Sequence, residues 1–493
     1  MSNITISHLT FAYDGGLPLF DDVSLRLNTR WKIGLIGRNG RGKTTLLRLL
    51  LKQELFDGTI DVPVPLGYFP YTVTDESQTT LEVAESIADF EPWQIERELS
   101  LLAVSEDVLS RPFATLSGGE KTKVLLAAMF LNEDRFLLID EPTNHLDLDG
   151  RKIVADYLGS KSGFILVSHD RTLLDRCVDH VLSVNRCDVE LMQGNFSVWQ
   201  QNRDYWDKFE SSENRKLHKE IKRLNEASKR SKDWSNRAEK EKYGNGPVDR
   251  GFLGAKAAKI MNRSKAADAR RQQSIEEKSK LFKNAEVDDE LSLTPLAFHS
   301  KRILDLSNVS VHYDSVRPLF ENLSFSVEAG DRIALCGKNG CGKSSLLKLI
   351  AREDVPHSGW VAVPKSLKIS YIPQDASFLK GQLRSFLEEK GLDESLYRSM
   401  LHKLGFHRED FENNMLGFSA GQKRKVLLVA SLCERANLYL WDEPLNYIDV
   451  ISRMQVERLL LESQATVVFI EHDQSFLDAV ASKRVVLGGC VKQ

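Results

Sequence analysis

One pattern occurs twice in this chain of 493 residues, and the second copy follows the first at a nearly constant distance. Phe11-Ala12-Tyr13-Asp14 returns as Val311-His312-Tyr313-Asp314, shifted by 300. Gly37-Arg38-Asn39-Gly40-Arg41-Gly42-Lys43-Thr44-Thr45 returns, with the same shift of 300, as Gly337-Lys338-Asn339-Gly340-Cys341-Gly342-Lys343-Ser344-Ser345. Ser117-Gly118-Gly119-Glu120 returns as Ser419-Ala420-Gly421-Gln422, and Asp140-Glu141-Pro142 as Asp442-Glu443-Pro444, both shifted by 302. Ser168-His169-Asp170 returns as Glu471-His472-Asp473, shifted by 303. So small a drift marks a duplicated domain. Each copy runs from apolar strands into a glycine-rich turn and a leucine-rich helix, predicted over 45–51 and 345–350. Short β-rich runs follow at 136–139 and 164–167, and at 438–441 and 466–470, bounded by charge and turn residues. Two tandem α/β domains are expected, over 1–202 and 295–493.

The residues between the copies differ in kind. No Gly or Pro occurs in 196–243 or in 255–294, whereas 244–254 holds four Gly and one Pro. Breaker-free stretches around a breaker-rich tip predict a long antiparallel helical hairpin over 203–294, with its tip at about 243–254. Tyr205, Phe209, Leu217, Ile221 and Leu224 form one apolar stripe, suited to packing on Ala257, Ile260, Met261 and Ala267 of the returning helix. The net charge of −3 hides an uneven distribution: residues 203–283 carry 23 Lys and Arg against 13 Asp and Glu, leaving 44 against 57 elsewhere. A basic segment on an acidic body points to a polyanionic partner, and a solvated helical face is the plainer alternative. With 42% hydrophobic and 28% charged residues the composition is that of a globular protein. No apolar run is long enough to span a bilayer, and no membrane partner is expected. Cysteines 177, 187, 336, 341, 433 and 490 show no paired spacing, and the N-terminus shows no secretory pattern, so a reduced, cytoplasmic setting is expected.

G-x-x-x-x-G-K-[ST] after a strand and before a helix is a phosphate loop. Its glycines let backbone N–H groups converge on phosphate oxygens, the helix N-terminus adds positive potential, Lys43 or Lys343 reaches the β- and γ-phosphates, and Thr44 or Ser344 ligates Mg²⁺. Asp140-Glu141 and Asp442-Glu443 end apolar strands, which suits a carboxylate associated with the metal followed by one that polarises the attacking water. A glycine turn alone explains neither the second copy nor the order of the remaining parts. Cys341 inside the second loop reads as an incidental small residue in a reduced compartment rather than a redox switch.

Leu116-Ser117-Gly118-Gly119-Glu120-Lys121 before a helix is similar to the signature of ATP-binding cassette (ABC) proteins, and Ser168-His169-Asp170 resembles their switch histidine. In that family two cassettes close head to tail, each ATP lying between the phosphate loop of one and the signature of the other. The resemblance implies one site using Lys43, Thr44, Asp140, Glu141 and His169 opposite Ser419, Ala420, Gly421 and Gln422. The other uses Lys343, Ser344, Gln374, Asp442, Glu443 and His472 opposite Ser117, Gly118, Gly119 and Glu120. Tyr13 and Tyr313 match the position that stacks on adenine, and a buried strand-end tyrosine reads them almost as well. The chain departs from the family at Tyr71, which stands where the second copy has Gln374, and at Ala420 and Gln422 of the second signature. Tyr71 cannot reproduce a carboxamide's contact with Mg²⁺ or water, so the two sites are expected to be competent but unequal.

A fused importer ATPase has no use for a basic hairpin between its cassettes, and DNA-repair ATPases place their coiled coil within a cassette. The chain most resembles the F subfamily of ABC proteins, through Asp140-Glu141-Pro142-Thr143-Asn144-His145-Leu146-Asp147, Gly194-Asn195-Phe196-Ser197 and the linker run Lys256 to Lys265. That resemblance implies a monomer with intramolecular cassette pairing that binds the 70S ribosome at the tRNA exit site and directs its hairpin at peptidyl-tRNA, rRNA and the peptidyl transferase centre. The 46 residues from Tyr71 to Ser117, against 45 from Gln374 to Ser419, leave no room for an extra arm, and 21 residues follow His472. These features resemble the Lsa-type resistance proteins, whose spectrum is lincosamides, pleuromutilins and group A streptogramins; a housekeeping translation factor is the alternative. The tip residues Tyr243, Val248, Phe252 and Leu253, with basic Arg250, Lys256, Lys259 and Arg263, are the expected contacts with RNA or the drug site, unless Phe252 and Leu253 merely staple the turn.

Overall fold

The computed structural model describes residues 2–13, 18–132, 134–144, 146–185, 189–206, 291–313, 318–406 and 409–487. The hairpin expected between the cassettes lies almost wholly outside these residues, with Tyr243, Val248, Arg250, Phe252, Leu253, Lys256, Lys259 and Arg263. Asp14, His145, Asp314, Cys187 and Cys490 lie outside them too. The chain divides into two compact units, one formed by Met1–Ser197 with Asp289–Gln493 and the other by Val198–Asp288. Both cassettes belong to the first.

In the first cassette, β1 (Asn3–Phe11), β2 (Phe20–Asn28) and β4 (Asp57–Asp61) form an antiparallel sheet in the order β2-β1-β4. The main sheet contains β3 (Lys32–Gly37), β5 (Leu66–Phe69), β6 (Phe136–Asp140), β7 (Phe164–Val167), β8 (His180–Val184) and β9 (Val189–Gln193), in the order β5-β6-β7-β3-β8-β9. All its pairs are parallel except the last. The second cassette repeats the plan. β10 (Arg302–Val311), β11 (Phe320–Glu328) and β13 (His357–Ala362) pair as β11-β10-β13. β12 (Arg332–Cys336), β14 (Ile369–Ile372), β15 (Leu438–Asp442), β16 (Val467–Ile470) and β17 (Lys483–Val486) form a parallel sheet in the order β14-β15-β16-β12-β17.

Central parallel strands are covered on both faces, which is why β6, β7, β15 and β16 read as unbroken apolar runs instead of alternating ones. Along β15 the side chains still part by twos: Leu438 and Leu440 enter one core with Leu346, Leu347 and Ile350 of the helix Lys343–Ile350. Tyr439 and Trp441 enter the opposite core, with Val426 and Leu428 of the helix Ala420–Cys433. The first cassette packs Leu46, Leu47 and Leu50 of the helix Lys43–Leu50 against Ile4, Ile6, Ile33 and Leu138 in the same manner. Each fully buried leucine contributes about 2 kcal/mol. The tandem α/β expectation holds, and the strand expected over 164–167 has those bounds. The phosphate-loop helices begin two residues earlier than expected, at Lys43 and Lys343, because Gly42 and Gly342 take the N-cap position.

The two cassettes meet about a local pseudo-two-fold axis. Thr172 Oγ1 lies 2.9 Å from Ser475 Oγ, and these residues are equivalents at the repeat shift of 303. Only residues at such an axis can meet their own counterparts. Beside it, Arg171 pairs with Glu457 at 2.5 Å. Among the described residues no helix is long and apolar enough to cross a membrane.

Candidate functional site

The C-terminal ends of β3, β6 and β7 present the loop 37–42, Asp140-Glu141 and His169 along one edge of the sheet, where open α/β sheets bind ligands. Two glycines are obligatory in the loop. Gly37, at φ 154°, would place a Cβ 2.6 Å from the Val184 carbonyl oxygen, and Gly42, at φ 90°, would place one 2.6 Å from Leu19 Cδ2. Lys43 Nζ is buried and donates to Gly37 O at 2.8 Å, Arg38 O at 3.2 Å and Asn39 Oδ1 at 3.2 Å. Lys343 Nζ repeats the first two contacts at 2.7 and 3.0 Å. The ammonium is thus folded back over the loop, and burial lowers the pKa of Lys43.

Thr44 Oγ1 donates to Asp140 Oδ2 at 3.0 Å, and Tyr68 OH donates to the same oxygen at 3.2 Å. Burial and the Asp140 charge push the Tyr68 phenol up to about 12. In the second cassette neither buried carboxylate oxygen of Asp442 has a well-aligned hydrogen bond among the described residues, and burial raises that carboxyl to about 6 although the Ser344 hydroxyl opposes it. A hydroxyl, a carboxylate and, in the second cassette, the Gln374 carboxamide are hard oxygen donors of the kind Mg²⁺ prefers, and the buried Asp442 oxygens fit a cation there.

Both following glutamates take left-handed backbone conformations, Glu141 at φ 51° and Glu443 at φ 50°. Such positions cost about 1–3 kcal/mol and are kept where surrounding structure fixes them. Here the neighbouring strand fixes them, since Glu141 N donates to Val167 O at 2.9 Å and Glu443 N to Ile470 O at 3.0 Å. The turn brings Glu141 Oε1 to 3.2 Å from His169 Nε2, and Glu443 Oε1 to 3.3 Å from His472 Nε2. The two carboxylates differ in company. Burial pushes Glu141 up to about 8, with Asp140 adding to the effect. Burial also acts to raise Glu443, but the hydrogen bond and charge of His472, then Gln374 and Arg424, outweigh it and hold the carboxyl below its usual range. Asn446 Nδ2 also donates to Glu443 Oε2, at 2.6 Å. His169 is held well below its usual pKa by burial, then by Lys43 and Arg453.

Across the cassette interface the parts join into two cavities. The first, about 560 Å³, is lined by Tyr13, Asn39, Gly40, Gly42, Lys43, Thr44, Thr45, Asp140, Glu141 and His169 from one cassette and by Ser419, Gly421 and Gln422 from the other. The second, about 850 Å³, is lined by Asn339, Gly340, Gly342, Lys343, Ser344, Ser345, Gln374, Glu443 and His472, with Ser117, Gly118, Gly119 and Glu120 opposite. These volumes suit a small-molecule ligand. Each signature starts its helix with a capping box: Ser117 Oγ accepts from Glu120 N at 3.2 Å while Glu120 Oε2 accepts from Ser117 N at 2.8 Å. Ser419 and Gln422 form the equivalent pair at 3.2 and 3.0 Å. The box leaves the free N–H groups of the first turn pointing at the opposite phosphate loop.

Some sequence candidates stand back from the cavities. Gly37, Arg38, Arg41 and Ala420 do not line the first, and Gly337, Lys338, Cys341, Tyr313 and Asp442 do not line the second. Arg38 instead donates to Lys403 O of the other cassette at 3.4 Å. Tyr13 and Tyr313 are about half exposed and donate to, or share a proton with, the hydroxyls of Thr45 and Ser345 at 3.0 and 3.2 Å. Tyr71 is 36% exposed, so its ring is not committed to the core. Sequence reasoning missed Tyr68, and it missed Asp449, which accepts from Asn39 N across the interface at 3.2 Å. The repeat itself held a signal for both, since Tyr68 aligns with Tyr371 and Asp147 with Asp449.

Phosphate loops facing signature helices across a two-fold interface define a tandem-cassette nucleotide-binding protein. The family model described as ABC transporter matches residues 20–144 and 320–446. "ATP-binding protein Uup" of Caulobacter vibrioides is 29% identical over 492 residues, covering 97% of this chain and 76% of that protein. "Ribosome protection protein VmlR" of Bacillus subtilis is 30% identical over 469 residues, covering 92% and 81%, and "Probable ATP-binding protein YheS" of Escherichia coli K12 is 28% identical, covering 93% and 75%. Among solved structures, the archaeal ribosome recycling factor aABCE1, crystallised with the ribosomal stalk protein aP1, superposes with a TM-score of 0.63 at 20% identity, covering 98% of this chain and 88% of that one. That last likeness is one of fold. The chain belongs to the ATP-binding cassette family, as a two-cassette ATP hydrolase of the ABC-F type.

Proposed function

We propose that this ATPase acts on the 70S ribosome, entering the tRNA exit site and directing its interdomain segment at peptidyl-tRNA and the peptidyl transferase centre, so that lincosamide, pleuromutilin and streptogramin A drugs are displaced. The observation that carries this reading is the 30% identity to a ribosome protection protein over 92% of the chain. The basic segment 203–283 supports it, because 23 cations against 13 anions suit the phosphates of rRNA and tRNA. ATP binding holds the cassettes closed, and hydrolysis releases them. In this mechanism Lys43 and Lys343 leave the loop carbonyls for the β- and γ-phosphates, and the signature amides cap the same phosphates from across the interface. Glu141 and Glu443 polarise the attacking water, with His169 and His472 orienting their carboxylates. Thr44 and Asp140 in one site, and Ser344, Gln374 and Asp442 in the other, would hold Mg²⁺, which would supply neutralisation of charge on the phosphate oxygens.

A second reading is relief of stalled ribosomes as a housekeeping factor, because Uup and YheS, nearly as similar at 29% and 28%, are named as ATP-binding proteins and not for ribosome protection. Drug susceptibility of a sensitive host separates the two. Expression of the chain is expected to raise the inhibitory concentration of all three drug classes. Unchanged susceptibility with normal expression replaces protection by the housekeeping role.

A further inference from the structure

Arg424 lies two residues beyond Gln422 on the helix Ala420–Cys433, whose first turn closes the first cavity. Its guanidinium is 5% exposed and faces the other way, donating to Pro373 O at 2.7 Å and to Gln374 O at 2.5 Å. Gln374 lines the second cavity with Glu443 and His472. Three carboxylates, those of Glu443, Asp442 and Glu471, act on the guanidinium against the cost of its burial. Glu471 is itself buried and accepts from Leu445 N, at 2.8 Å, two residues beyond Glu443. The guanidinium therefore holds the 373–374 segment beside the second site's catalytic carboxylate, and Glu471 holds the segment that follows that carboxylate.

The first cassette contains none of this. The repeat sets Thr122 opposite Arg424, Ser168 opposite Glu471 and Tyr71 opposite Gln374. Thr122 is equally buried, so the difference is one of chemistry and not of depth. Stability does not account for a buried cation and anion gained together, because apolar residues of similar volume commonly serve as well. A planar guanidinium donating to two consecutive carbonyls does something a hydroxyl cannot, which is to fix the orientation of a loop.

We propose that Arg424 is a positioning residue that ties the signature helix capping the first nucleotide to the Gln374 loop of the second site, so that occupancy of the first site sets the placement of Gln374 and Glu443 in the second, with no such tie in the other direction. This rests on the reading of both cavities as ATP sites. The full-length protein is compared in two backgrounds that leave only the second site turning over: Glu141→Gln, in which the first site binds without hydrolysing, and Lys43→Ala, in which its ATP affinity is lost. Second-site turnover is expected to be about tenfold higher in the former, within the usual range of coupling between sites. In Arg424→Thr/Glu471→Ser, which installs the first cassette's own pair, that ratio falls to about threefold or less, through kcat with the KM for ATP unchanged. In nucleotide-free protein the amides of residues 374–376 exchange with deuterium about tenfold faster in the variant, while the helix 420–433 keeps its protection. Arg424→Lys, which retains the charge and loses the paired donation, gives an intermediate ratio and decides the matter should the double variant not fold. A ratio near one in the parent, or an unchanged ratio and exchange rate in the Arg424 variants, overturns the tie. Turnover persisting in Glu141→Gln/Glu443→Gln brings down the site assignment instead, so the two failures are distinguishable.

Discussion

Glu141 and Glu443 occupy equivalent turns with equivalent backbone strain, yet one is surrounded by help and the other is not. Glu443 receives Asn446 at 2.6 Å and His472 at 3.3 Å, and Gln374 and Arg424 favour its charged form. Glu141 Oε1 is buried with His169 at 3.2 Å in poor hydrogen-bond alignment, and Tyr71 offers no amide. Glu443→Gln is therefore expected to cost at least about tenfold more steady-state turnover than Glu141→Gln, which corresponds to about 1.4 kcal/mol. Equal losses in the two single variants would remove the asymmetry. At this scale the sequence was legible wherever a motif assigns one task to one residue, as for Lys43, Thr44 and Glu141. For Tyr68 only the repeat held a signal, because no local spacing encodes the contact of its phenol with Asp140, 72 positions away on a neighbouring strand.

Elements are where charge and capping combine. Asp449 caps the helix Val450–Glu462 by accepting from Ser452 N at 2.9 Å, accepts from Asn39 N of the other cassette at 3.2 Å, and lies 3.7 Å from Lys425 Nζ. Burial acts to raise its pKa, but Lys425, then Lys43 and the hydrogen bond from Ser452 N, hold it down to about 2. An unfolded aspartate protonates near about 3.9. The stability this group contributes is thus complete above that value and is lost as pH falls towards 2. Asp449→Asn retains a capping oxygen and loses the charge, leaving buried Lys425 without the carboxylate that acts on it most strongly; about 3–5 kcal/mol of stability should disappear. Thermal unfolding from pH 7 to about 2 checks this, and the variant should show a flatter acid limb. An unaltered Tm at neutral pH would show the charge to be dispensable. Strand positions were readable from apolar runs such as 164–167, whereas the helix starts at Lys43 and Lys343 were misplaced because the left-handed N-cap glycines carry no hydrophobic signal.

The whole molecule was the most legible level, since the duplication predicted two domains of like order and the family resemblance implied their shared interface. If the Lys and Arg of 203–283 contact RNA phosphates, ribosome affinity should fall steeply with salt, by a slope of about 0.9 per phosphate on duplex and about 0.7 on single strands. Replacing Arg250, Lys256, Lys259 and Arg263 with Gln should flatten that slope by about 3 without changing ATPase activity in the absence of ribosomes. An unchanged slope would return these side chains to the role of a solvated face.

The contact between Arg171 and Glu457 has no mirror image. Across the axis, the equivalent places are Gln474 and Ala155. Two first cassettes facing each other would set Arg171 against Ala155, and two second cassettes would set Gln474 against Glu457, each leaving a desolvated charge unanswered. Only the unlike pair closes the contact. The interface is thereby keyed, so that each half recognises the other half in preference to its own kind, and like-with-like pairings between chains are selected against at the level of a single ion pair.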